Sequence, residues 1–471
     1  MTPVSSALCY VRPHHEAFFR RLCGDIFGEA RTTFVSDFRD VGTVQVNERF
    51  YKRLRSGPLQ LPPFLSEGMA DDMAMRCRYL RKLPTARQRQ LLAAMAGAMD
   101  EVLDDVRPDV VVSLTVDCYV VDVLHLCSQA RGVPFLGLVP TMINGYFMLT
   151  ARGERNAFRL AGDDECARVL DLIRSPEYRP AYQPSNASSA LSVARRYARE
   201  TAKALYFPIR RIVSRDPYNL YYAGSAAMAR QCIALGNFFP GRFYDDGWSA
   251  QIARDRPVLY LPLQYTPECN ADYWCQHRDF LLYDEGVLKV VDRVAAGANV
   301  LVKEHPSMVG YRPVSFYRAL LRNPGVVLVP PAVGSLDVMT ASDAVLSWSG
   351  SAGIEAVLLR DTPVVDFGEP YYASGRLTRT VRSEGELLAI DDVLSALGAE
   401  APLTRAEKLD YVRNILGGCL PGGLAHIRAF DPDDSTAAAE MAAVVESLAA
   451  NIDDWFAWAK GDARADRETV A

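Results

Sequence analysis

The sequence predicts an α/β fold built from two Rossmann-like, doubly wound domains in tandem. First, 471 residues are more than a single hydrophobic core usually serves. Second, short β-rich runs alternate with segments of helical periodicity in both halves of the chain, which is typical of parallel sheets covered by helices. Third, this alternation stops between about residues 160 and 250. We therefore predict a first domain at 1–250 with a helical insertion at about 160–250, a second domain at 251–435, and a C-terminal helix and tail at 436–471.

The first domain opens with a β-α-β unit. Two apolar runs, ALCYV and TTFVSD, flank a segment in which Phe18, Leu22 and Ile26 recur at helical spacing. Farther on, the helix-like QRQLLAAMAGAMDEVLDDV leads into VVVSLTVD, and VDVLHLCSQARG leads into VPFLGLV. The predicted strands of this domain are 7–11, 32–37, 110–117 and 133–139.

The second domain repeats the alternation after the insertion. Its predicted strands are 257–263, 299–303, 326–330, 344–348 and 363–368. The last apolar-periodic run, AAAEMAAVVESLAANIDDWFAWA, predicts a helix that packs back on the first domain. Because ligands of open α/β sheets bind beyond the carboxyl ends of the strands, we expect functional residues in the strand-to-helix loops, facing a cleft between the two domains.

Composition excludes several classes of function. Charged residues make up 23% of the chain and the formal net charge is -5, so a nucleic-acid partner is not expected. No stretch has the roughly 18 consecutive apolar residues of a membrane span, and the first residues lack a signal-peptide pattern, which predicts a cytoplasmic protein. The ten cysteines include no CxxC pair, so we expect reduced thiols and no metal site.

One candidate binding loop follows the predicted strand NVLVK. Lys303, Glu304, His305 and Pro306 stand in succession where this strand ends. A histidine at the carboxyl edge of a sheet can donate a hydrogen bond to a phosphate oxygen. The alternative is that these residues only cap a surface turn.

A second candidate loop joins the strand AVLSW to a helix. It contains Ser349, Gly350, Ser351 and Gly353, whose small size lets the backbone approach a ligand, and the following helix presents free N–H groups. These features predict an anion site. Glu355, in the first helical turn, could bond ribose hydroxyls, or it could only favour the helix dipole.

A third loop follows the first strand of the second domain. Gln264 and Glu268 could contact a base or an acceptor through their amide and carboxylate groups. Since Pro-Glu also commonly opens a helix, a purely structural role is the alternative.

In the first domain, Asp117 is the preferred catalytic carboxylate because it ends the apolar strand VVVSLTVD. It could act as a general base or a nucleophile, or it could cap the helix that begins at about Val120. Because adjacent residues on a strand point to opposite faces, at most one of two neighbouring histidines faces the expected cleft. The candidate acceptor-side residues are His14, His15, Arg152 and Glu154.

The second-domain motifs LPLQYTPE, VKEHPS and SWSGSAGIEAVLLRDTPVVDFGEPYY, with GVPFLGLVPTMINGYFMLTARGE in the first domain, resemble the capsule polysaccharide biosynthesis family of GT-B glycosyltransferases. This family includes the Kdo transferases of bacterial capsules. The resemblance implies a GT-B fold, a CMP-linked sugar donor, and His305, Ser349 and Ser351 around the nucleotide phosphate, with Glu355 near the ribose. The family's acidic-acidic-glycine motif has no match in a first-domain loop, since Asp245-Asp246-Gly247 and Asp284-Glu285-Gly286 lie elsewhere.

The resemblance implies a metal-independent enzyme that transfers a Kdo-like sugar from a CMP donor to a glycan or glycolipid, with no cofactor besides this co-substrate. The alternatives are a CDP-glycerol or UDP-sugar dependent polymer transferase, and a non-catalytic capsule assembly or export protein. A peripheral contact with the inner membrane or with capsule assembly proteins is also left open. The segment ARRYARETAKALYFPIRRIV could favour an anionic membrane surface, but a buried helix with a solvated basic face is the preferred prediction.

Overall fold

The structure is a computed structural model that describes residues 4–175, 177–178, 190–233, 240–266 and 268–470. These residues form two compact units, one made of residues 4–169 and 412–470 and the other of the described residues between 170 and 411.

The unit boundaries differ from the predicted domains at two places. The predicted insertion packs within the second unit, because Arg196 Nη1 donates to the carbonyl of Val309 at 2.5 Å and Tyr311 donates its hydroxyl to Glu200 at 3.0 Å. The chain also rejoins the first unit at residue 412 instead of after 435, since a late strand at Cys419–Pro421 pairs with the first sheet.

Two sheets form the centres of the two units. The strands are β1 (Ala7–Tyr10), β2 (Thr32–Ser36), β3 (Val44–Gln45), β4 (Val110–Leu114), β5 (Phe135–Pro140), β6 (Tyr146–Leu149), β7 (Val258–Pro262), β8 (Asn299–Lys303), β9 (Val326–Val329), β10 (Ala344–Ser347), β11 (Val364–Asp366), β12 (Thr378–Thr380) and β13 (Cys419–Pro421).

The first sheet has the order β13-β6-β5-β4-β1-β2-β3. Its strands pair in parallel from β3 to β5, with Ala7 opposite both Thr32 and Val110, and β6 and β13 extend the sheet by antiparallel pairing. The second sheet, β12-β11-β10-β7-β8-β9, is parallel throughout. Both contain the strand order 3-2-1-4-5 of a doubly wound fold, so the predicted pair of Rossmann-like sheets is confirmed.

Helices connect and cover the strands. They are α1 (Glu16–Phe27), α2 (Val46–Arg55), α3 (Glu67–Arg76), α4 (Thr85–Val106), α5 (Tyr119–Ala130), α6 (Asp163–Arg174), α7 (Ala190–Val213), α8 (Leu220–Cys232), α9 (Cys269–Asp272), α10 (Tyr283–Val294), α11 (Val314–Leu320), α12 (Ser335–Thr340), α13 (Ser351–Glu355), α14 (Glu384–Leu388), α15 (Ile390–Gly398), α16 (Arg405–Leu416) and α17 (Ser435–Val470). A π-helical turn, Ala356–Arg360, continues α13.

The central strands are apolar along their whole length because helices cover both faces of a parallel sheet. Every residue of β1, β8, β9 and β10 is buried. The long C-terminal helix α17 buries one side through residues three or four apart and contacts α1 and β13. These buried residues are Ala437, Met441, Val444, Leu448, Ile452 and Trp455. The prediction that the C-terminal helix packs back on the first unit is confirmed.

The surface of α7 differs from the prediction of a buried helix with a solvated basic face. Its last turns expose apolar side chains to solvent, at Leu205, Tyr206, Ile209, Ile212 and Val213. No helix in the described ranges is long and apolar enough to cross a membrane.

The cysteines whose surroundings are described form no disulfide with one another. Eight of them are buried, and Cys269, at the start of α9, is half-buried. Burial raises the pKa of thiols such as Cys118 and Cys127 well above the usual range.

Candidate functional site

The second sheet brings the predicted donor loops to one edge. In a doubly wound sheet, ligands bind where the strand order reverses, which here is between β7 and β10. Gln264 follows β7, His305 follows the neighbouring β8, and Ser349 follows β10. These loops therefore lie at the carboxyl ends of adjacent strands, as expected from the sequence.

His305 is held in a defined orientation. Its Nδ1 accepts a hydrogen bond from the backbone N–H of Ser307 at 3.1 Å, and its ring meets Tyr265 edge to face. Burial, together with the positive charges of Lys303 and Arg312, lowers the pKa of His305 to about 4. The imidazole is therefore neutral near pH 7, and because Nδ1 is the acceptor, Nε2 carries the proton and is a hydrogen-bond donor.

Glu304 points into the protein. Its carboxylate accepts hydrogen bonds from Arg312 Nε at 2.8 Å, from the Tyr317 hydroxyl at 2.7 Å and from the backbone N–H of His305 at 2.7 Å. The side chain is fully buried, which raises the pKa of Glu304 despite the nearby guanidinium. Glu304 therefore holds the loop in place, and the structure does not direct it toward a ligand at the sheet edge.

Arg312 is a residue that sequence reasoning missed. Its guanidinium is buried and bonds Glu304, Asp284 and the carbonyl of Gln264. It thus ties the loop after β8 to the loop after β7. The only sequence signal was indirect: a glutamate at the end of an apolar strand needs a buried cation as partner.

Ser349 adopts a strained backbone conformation in the second candidate loop. Its φ of 63° lies in the left-handed region, which favours glycine. Its N–H donates to Asp366 at 3.1 Å, while its hydroxyl is buried beside Gly368 and has no partner among the described residues. The predicted contact between this hydroxyl and a phosphate stays a prediction.

Asp366, at the end of β11, organises the same loop and was also missed. Besides the Ser349 N–H, its carboxylate accepts the N–H groups of Gly368 and Glu369, both at 2.7 Å. Burial raises the pKa of Asp366 to about 7, although the three N–H donors favour the charged form. Asp366 therefore fastens the loop after β10 to the loop after β11.

Side chains pack closely against the two glycines of this loop. A Cβ on Gly350 would collide with the side-chain amide of Gln264. A Cβ on Gly353 would lie 2.7 Å from the ring of Tyr372, whose hydroxyl donates to the Gly350 carbonyl at 2.5 Å. Gly353 was predicted to make room for a phosphate, but the space beside it is filled by Tyr372.

Lys303 and Glu355 lie close together in the second unit. Lys303 Nζ is 3.5 Å from the Ser335 hydroxyl, and burial lowers the pKa of this lysine. Burial also raises the pKa of Glu355, which receives a hydrogen bond from Ser351 and the field of Lys303. The structure brings Lys303, Ser351 and Glu355 together, and the ribose contact predicted for Glu355 stays a prediction.

The remaining donor-side residues flank this group. Pro306 starts the short 3-10 helix Pro306–Met308, and Glu268 precedes α9 without capping it. Glu268 is exposed, whereas Gln264 is buried.

In the first unit, Asp117 lies beyond the carboxyl end of β4 and forms a bidentate ion pair with Arg12, with distances of 2.6 and 2.7 Å. Burial alone would raise the pKa of Asp117, but the Arg12 guanidinium outweighs it and holds this pKa below its usual value. Helix α5 begins at Tyr119 after Cys118 with no side-chain cap. The alternative role of Asp117 as a helix cap is therefore not seen.

The two neighbouring histidines have different surroundings. His14 is exposed, whereas His15 is buried and its Nε2 has no hydrogen-bond partner within the part of the chain that the structure describes. Burial and the positive charge of Arg12 together lower the pKa of His15 to about 3. Partial desolvation and the positive charge of Arg12 also lower the pKa of His14, so both histidines are neutral near pH 7.

The other predicted acceptor-side residues have structural partners. Glu154 accepts the N–H groups of Ala151 and Arg152 at 2.6 and 2.5 Å, which closes its own turn. Arg152 pairs with the buried Asp122, with Nε at 2.9 Å from Oδ1. Arg152 also lines a cavity of about 380 Å³ whose other lining residues are Ser66, Gly68, Met69, Asp72, Met73 and Leu126.

Residues 239–386 match a family model described as capsule polysaccharide biosynthesis protein. The matched segment contains the loops after β7, β8, β10 and β11, so the family resemblance inferred from the sequence is confirmed for this part of the chain. Comparison with curated proteins gave no match.

Several solved structures resemble the chain weakly. KpsC from Thermosulfurimonas dismutans, a beta Kdo 2,4 transferase, is 12% identical with a TM-score of 0.31, over 66% of this chain and 81% of that one. The UDP-GlcNAc 2-epimerase of Methanocaldococcus jannaschii is 13% identical with a TM-score of 0.25, over 87% and 98%. That of Neisseria meningitidis is 11% identical with a TM-score of 0.23, over 87% and 98%. Likenesses this weak carry no argument about the function of this chain.

Proposed function

We propose that this protein is a glycosyltransferase of capsule polysaccharide biosynthesis that transfers a sugar from a nucleotide-linked donor to a glycan or glycolipid. One observation carries the proposal. The segment that matches the capsule family contains the loops at the strand-order reversal of the second sheet, where nucleotides bind in doubly wound folds. A Kdo-like sugar on a CMP carrier is the proposed donor, because the motifs resemble those of the Kdo transferases.

Donor binding is proposed for the second unit. The protonated Nε2 of the neutral His305 would donate to a phosphate oxygen, and the bond to Ser307 fixes the ring for this task. A donor aimed in advance at the leaving phosphate stabilises the charge that develops there as the glycosidic bond breaks. The backbone of the loop from Ser349 to Gly353 would supply further N–H groups.

Asp117 is the proposed catalytic carboxylate of the first unit. Its ion pair with Arg12 keeps it charged at neutral pH, which suits a nucleophile or a group that stabilises positive charge on the sugar. A general base works best with a pKa near the operating pH, whereas the pKa of Asp117 is lowered. Of the two roles that the sequence predicts for Asp117, general base is therefore less favoured than nucleophile.

Metal independence is part of the proposal. Neutralisation of the leaving phosphate would come from His305 and the loop N–H groups. In the described ranges, the structure shows no group of three or more His, Cys, Asp or Glu side chains placed to hold a metal ion.

The decisive experiment compares CMP, CDP, UDP and GDP for their effect on the melting temperature of the purified protein. A ligand that binds only the folded state stabilises it by about 2.7 kcal/mol at a hundredfold excess over its Kd. We expect CMP to give the largest rise and His305→Asn to reduce it. No rise with any of the four nucleotides would overturn the donor assignment.

A transfer assay separates the enzyme from a non-catalytic binding protein. Purified protein would be incubated with CMP-Kdo, and release of CMP would be followed with and without a lipid-linked glycan. Acceptor-dependent release of CMP supports the proposal. If the protein binds a nucleotide but releases no nucleotide from any nucleotide-sugar donor, the result supports the non-catalytic alternative.

A further inference from the structure

The exposed apolar surface of α7 has no role in the proposed chemistry. Leu205, Ile209 and Ile212 lie four and three residues apart, so they share one face of the helix, and Tyr206 and Val213 border that face. Each of these five side chains is more than half exposed. Isolated apolar residues on a surface are ordinary, but a contiguous group of this kind marks an interaction site.

The charge of this segment is opposite to that of the whole chain. Residues 190–233 contain eight Arg or Lys and two Asp or Glu, which gives a net charge of +6, whereas the chain carries -5. The two acids, Glu200 and Asp216, are buried. Arg195 and Arg210 are exposed on the same helix as the apolar face. The outer surface of the segment is therefore both apolar and basic.

The opposite side of α7 is already used for packing. Arg196 and Glu200 bond the stretch Val309–Tyr311, and Phe207 packs against Tyr222 of α8. The exposed face is therefore not needed to hold the helix in the second unit. The anchoring stretch follows His305 by only four residues, so α7 is attached directly to the histidine loop.

We propose that the exposed face of α7 docks on the surface of an anionic lipid bilayer. Apolar and aromatic residues bordered by arginines are typical of helices that lie in the membrane interface, with the apolar side in the acyl boundary and the cations at the headgroups. Negative headgroups complement the +6 charge of residues 190–233. The helix lies in the interface and does not span it, because charged residues recur along its length.

The proposed docking of α7 does not depend on the proposed function. What the docking implies for the acceptor does rest on the proposed function. A bilayer-bound α7 would hold the loop of His305 close to the membrane surface through Val309–Tyr311. A lipid-linked acceptor would be presented at the same surface. The substrate class that this favours is a glycolipid, over a soluble glycan.

Co-sedimentation with vesicles tests the docking on the full chain. Vesicles of phosphatidylcholine alone would be compared with vesicles that also contain phosphatidylglycerol. We expect binding only when phosphatidylglycerol is present, and a fall in binding as salt is raised from about 0.1 to 0.5 M, because screening shortens the range of the attraction. Absence of binding to the anionic vesicles would overturn the proposal.

Variants show which residues carry the binding. Ile209→Ser with Ile212→Ser should weaken it more than about tenfold, and Arg195→Gln with Arg210→Gln by about fivefold for each arginine. The matched control is Leu388→Ser, an equally exposed leucine outside the segment, which should bind like the wild type. Equal binding by all variants would place the contact elsewhere and overturn the proposal.

Two further readouts separate the alternatives. The rise in melting temperature with CMP should be unchanged in the Ile209→Ser, Ile212→Ser protein, so that loss of docking and loss of the donor site are distinguished. Light scattering of the free protein tests whether a second copy covers the face instead. The membrane proposal would be overturned if the wild type is a dimer that these substitutions dissociate and if it does not bind anionic vesicles. The exposed face of α7 would then be an interface between two copies of the protein.

Discussion

At the scale of single residues, His305 shows how a loop sets the chemistry of an imidazole. The Ser307 N–H occupies Nδ1, so the proton resides on Nε2, and burial keeps the ring neutral. The sequence predicted the position of this histidine at a strand end, but its tautomer depends on a backbone group two residues away and its pKa on tertiary burial.

Replacing His305 should slow transfer strongly without unfolding the protein. His305→Asn keeps an acceptor that can bond the Ser307 N–H, but its amide N–H groups do not reach the position of Nε2, whereas His305→Ala lacks both the acceptor and the donor. We expect both variants to lose roughly 10²-fold or more in kcat, the scale for one donor to a developing negative charge. Near-normal turnover of His305→Asn would contradict the role of His305 as a hydrogen-bond donor. The remaining role of His305 would then be to cap the turn after β8.

The pH dependence follows from the lowered pKa of His305. The unfolded chain binds a proton at this residue below about pH 6.5, and the folded protein only below about 4. Stability contributed through His305 therefore rises as pH increases from about 4 to 6.5 and is constant above. Urea denaturation of the wild type should show this rise, and His305→Asn should show a smaller one.

Asp117→Asn separates catalysis from structure. If the carboxylate reacts with the sugar or stabilises its charge, turnover should fall at least about 10²-fold while the CMP-induced rise in melting temperature persists. The substitution also leaves Arg12 without its counter-charge, so we expect a loss of about 1–3 kcal/mol in unfolding free energy at pH 7.

The stability loss of Asp117→Asn has a pH signature. Because the folded pKa of Asp117 is lowered, its stabilisation is present above the unfolded value near 3.8 and is lost as pH falls through the folded value. The difference between wild type and variant should therefore shrink in acid. An active variant of undiminished stability would contradict both roles.

At the scale of elements, the loop after β8 depends on one buried cation. Arg312 joins it to the loop after β7, and Asp366 joins the loops after β10 and β11. The sequence predicted three of these loops as sites because their small and polar residues follow apolar strands. It did not reveal Arg312 or Asp366, since their partners are assigned only when distant segments pack.

Arg312→Met should be strongly destabilising. It leaves the Glu304 carboxylate buried without its cation, for which we expect a loss of about 3–5 kcal/mol in urea denaturation. Arg293→Met is the matched control, because its pair with Asp391 is largely exposed and should cost less than about 1 kcal/mol. Adding Glu304→Gln to Arg312→Met should recover part of the loss, and equal losses for the two arginines would contradict the role given to Arg312.

At the scale of the whole molecule, alternation of strands and helices was sufficient to predict two parallel sheets. The predicted strand 299–303 coincides with β8, and most other strands differ from their predictions by a few residues. The short strands β3, β6, β12 and β13 were not predicted. Cys419, Leu420 and Pro421 carry no periodic pattern and become a strand only by pairing with β6.

The C-terminal helix should contribute to the stability of the first unit. Leu448 is fully buried on α17, and Leu448→Ala should cost about 2–5 kcal/mol, as is usual for a truncated core leucine. Glu446→Ala, exposed on the same helix, should change unfolding by less than about 0.5 kcal/mol. Chemical denaturation of the three proteins measures the difference. A neutral Leu448→Ala would mean that α17 is dispensable for the first unit.

The distribution of thiols offers an optical reporter for the donor loops. Reagents that alkylate thiols attack the thiolate, so buried cysteines of raised pKa such as Cys118 and Cys127 react slowly. Cys269 is the half-buried exception among the cysteines whose surroundings are described, and it lies five residues after Gln264. A fluorophore attached there would sit beside the loop after β7, and its emission would follow nucleotide occupancy in the native protein without removal of the eight cysteines that the structure shows to be buried.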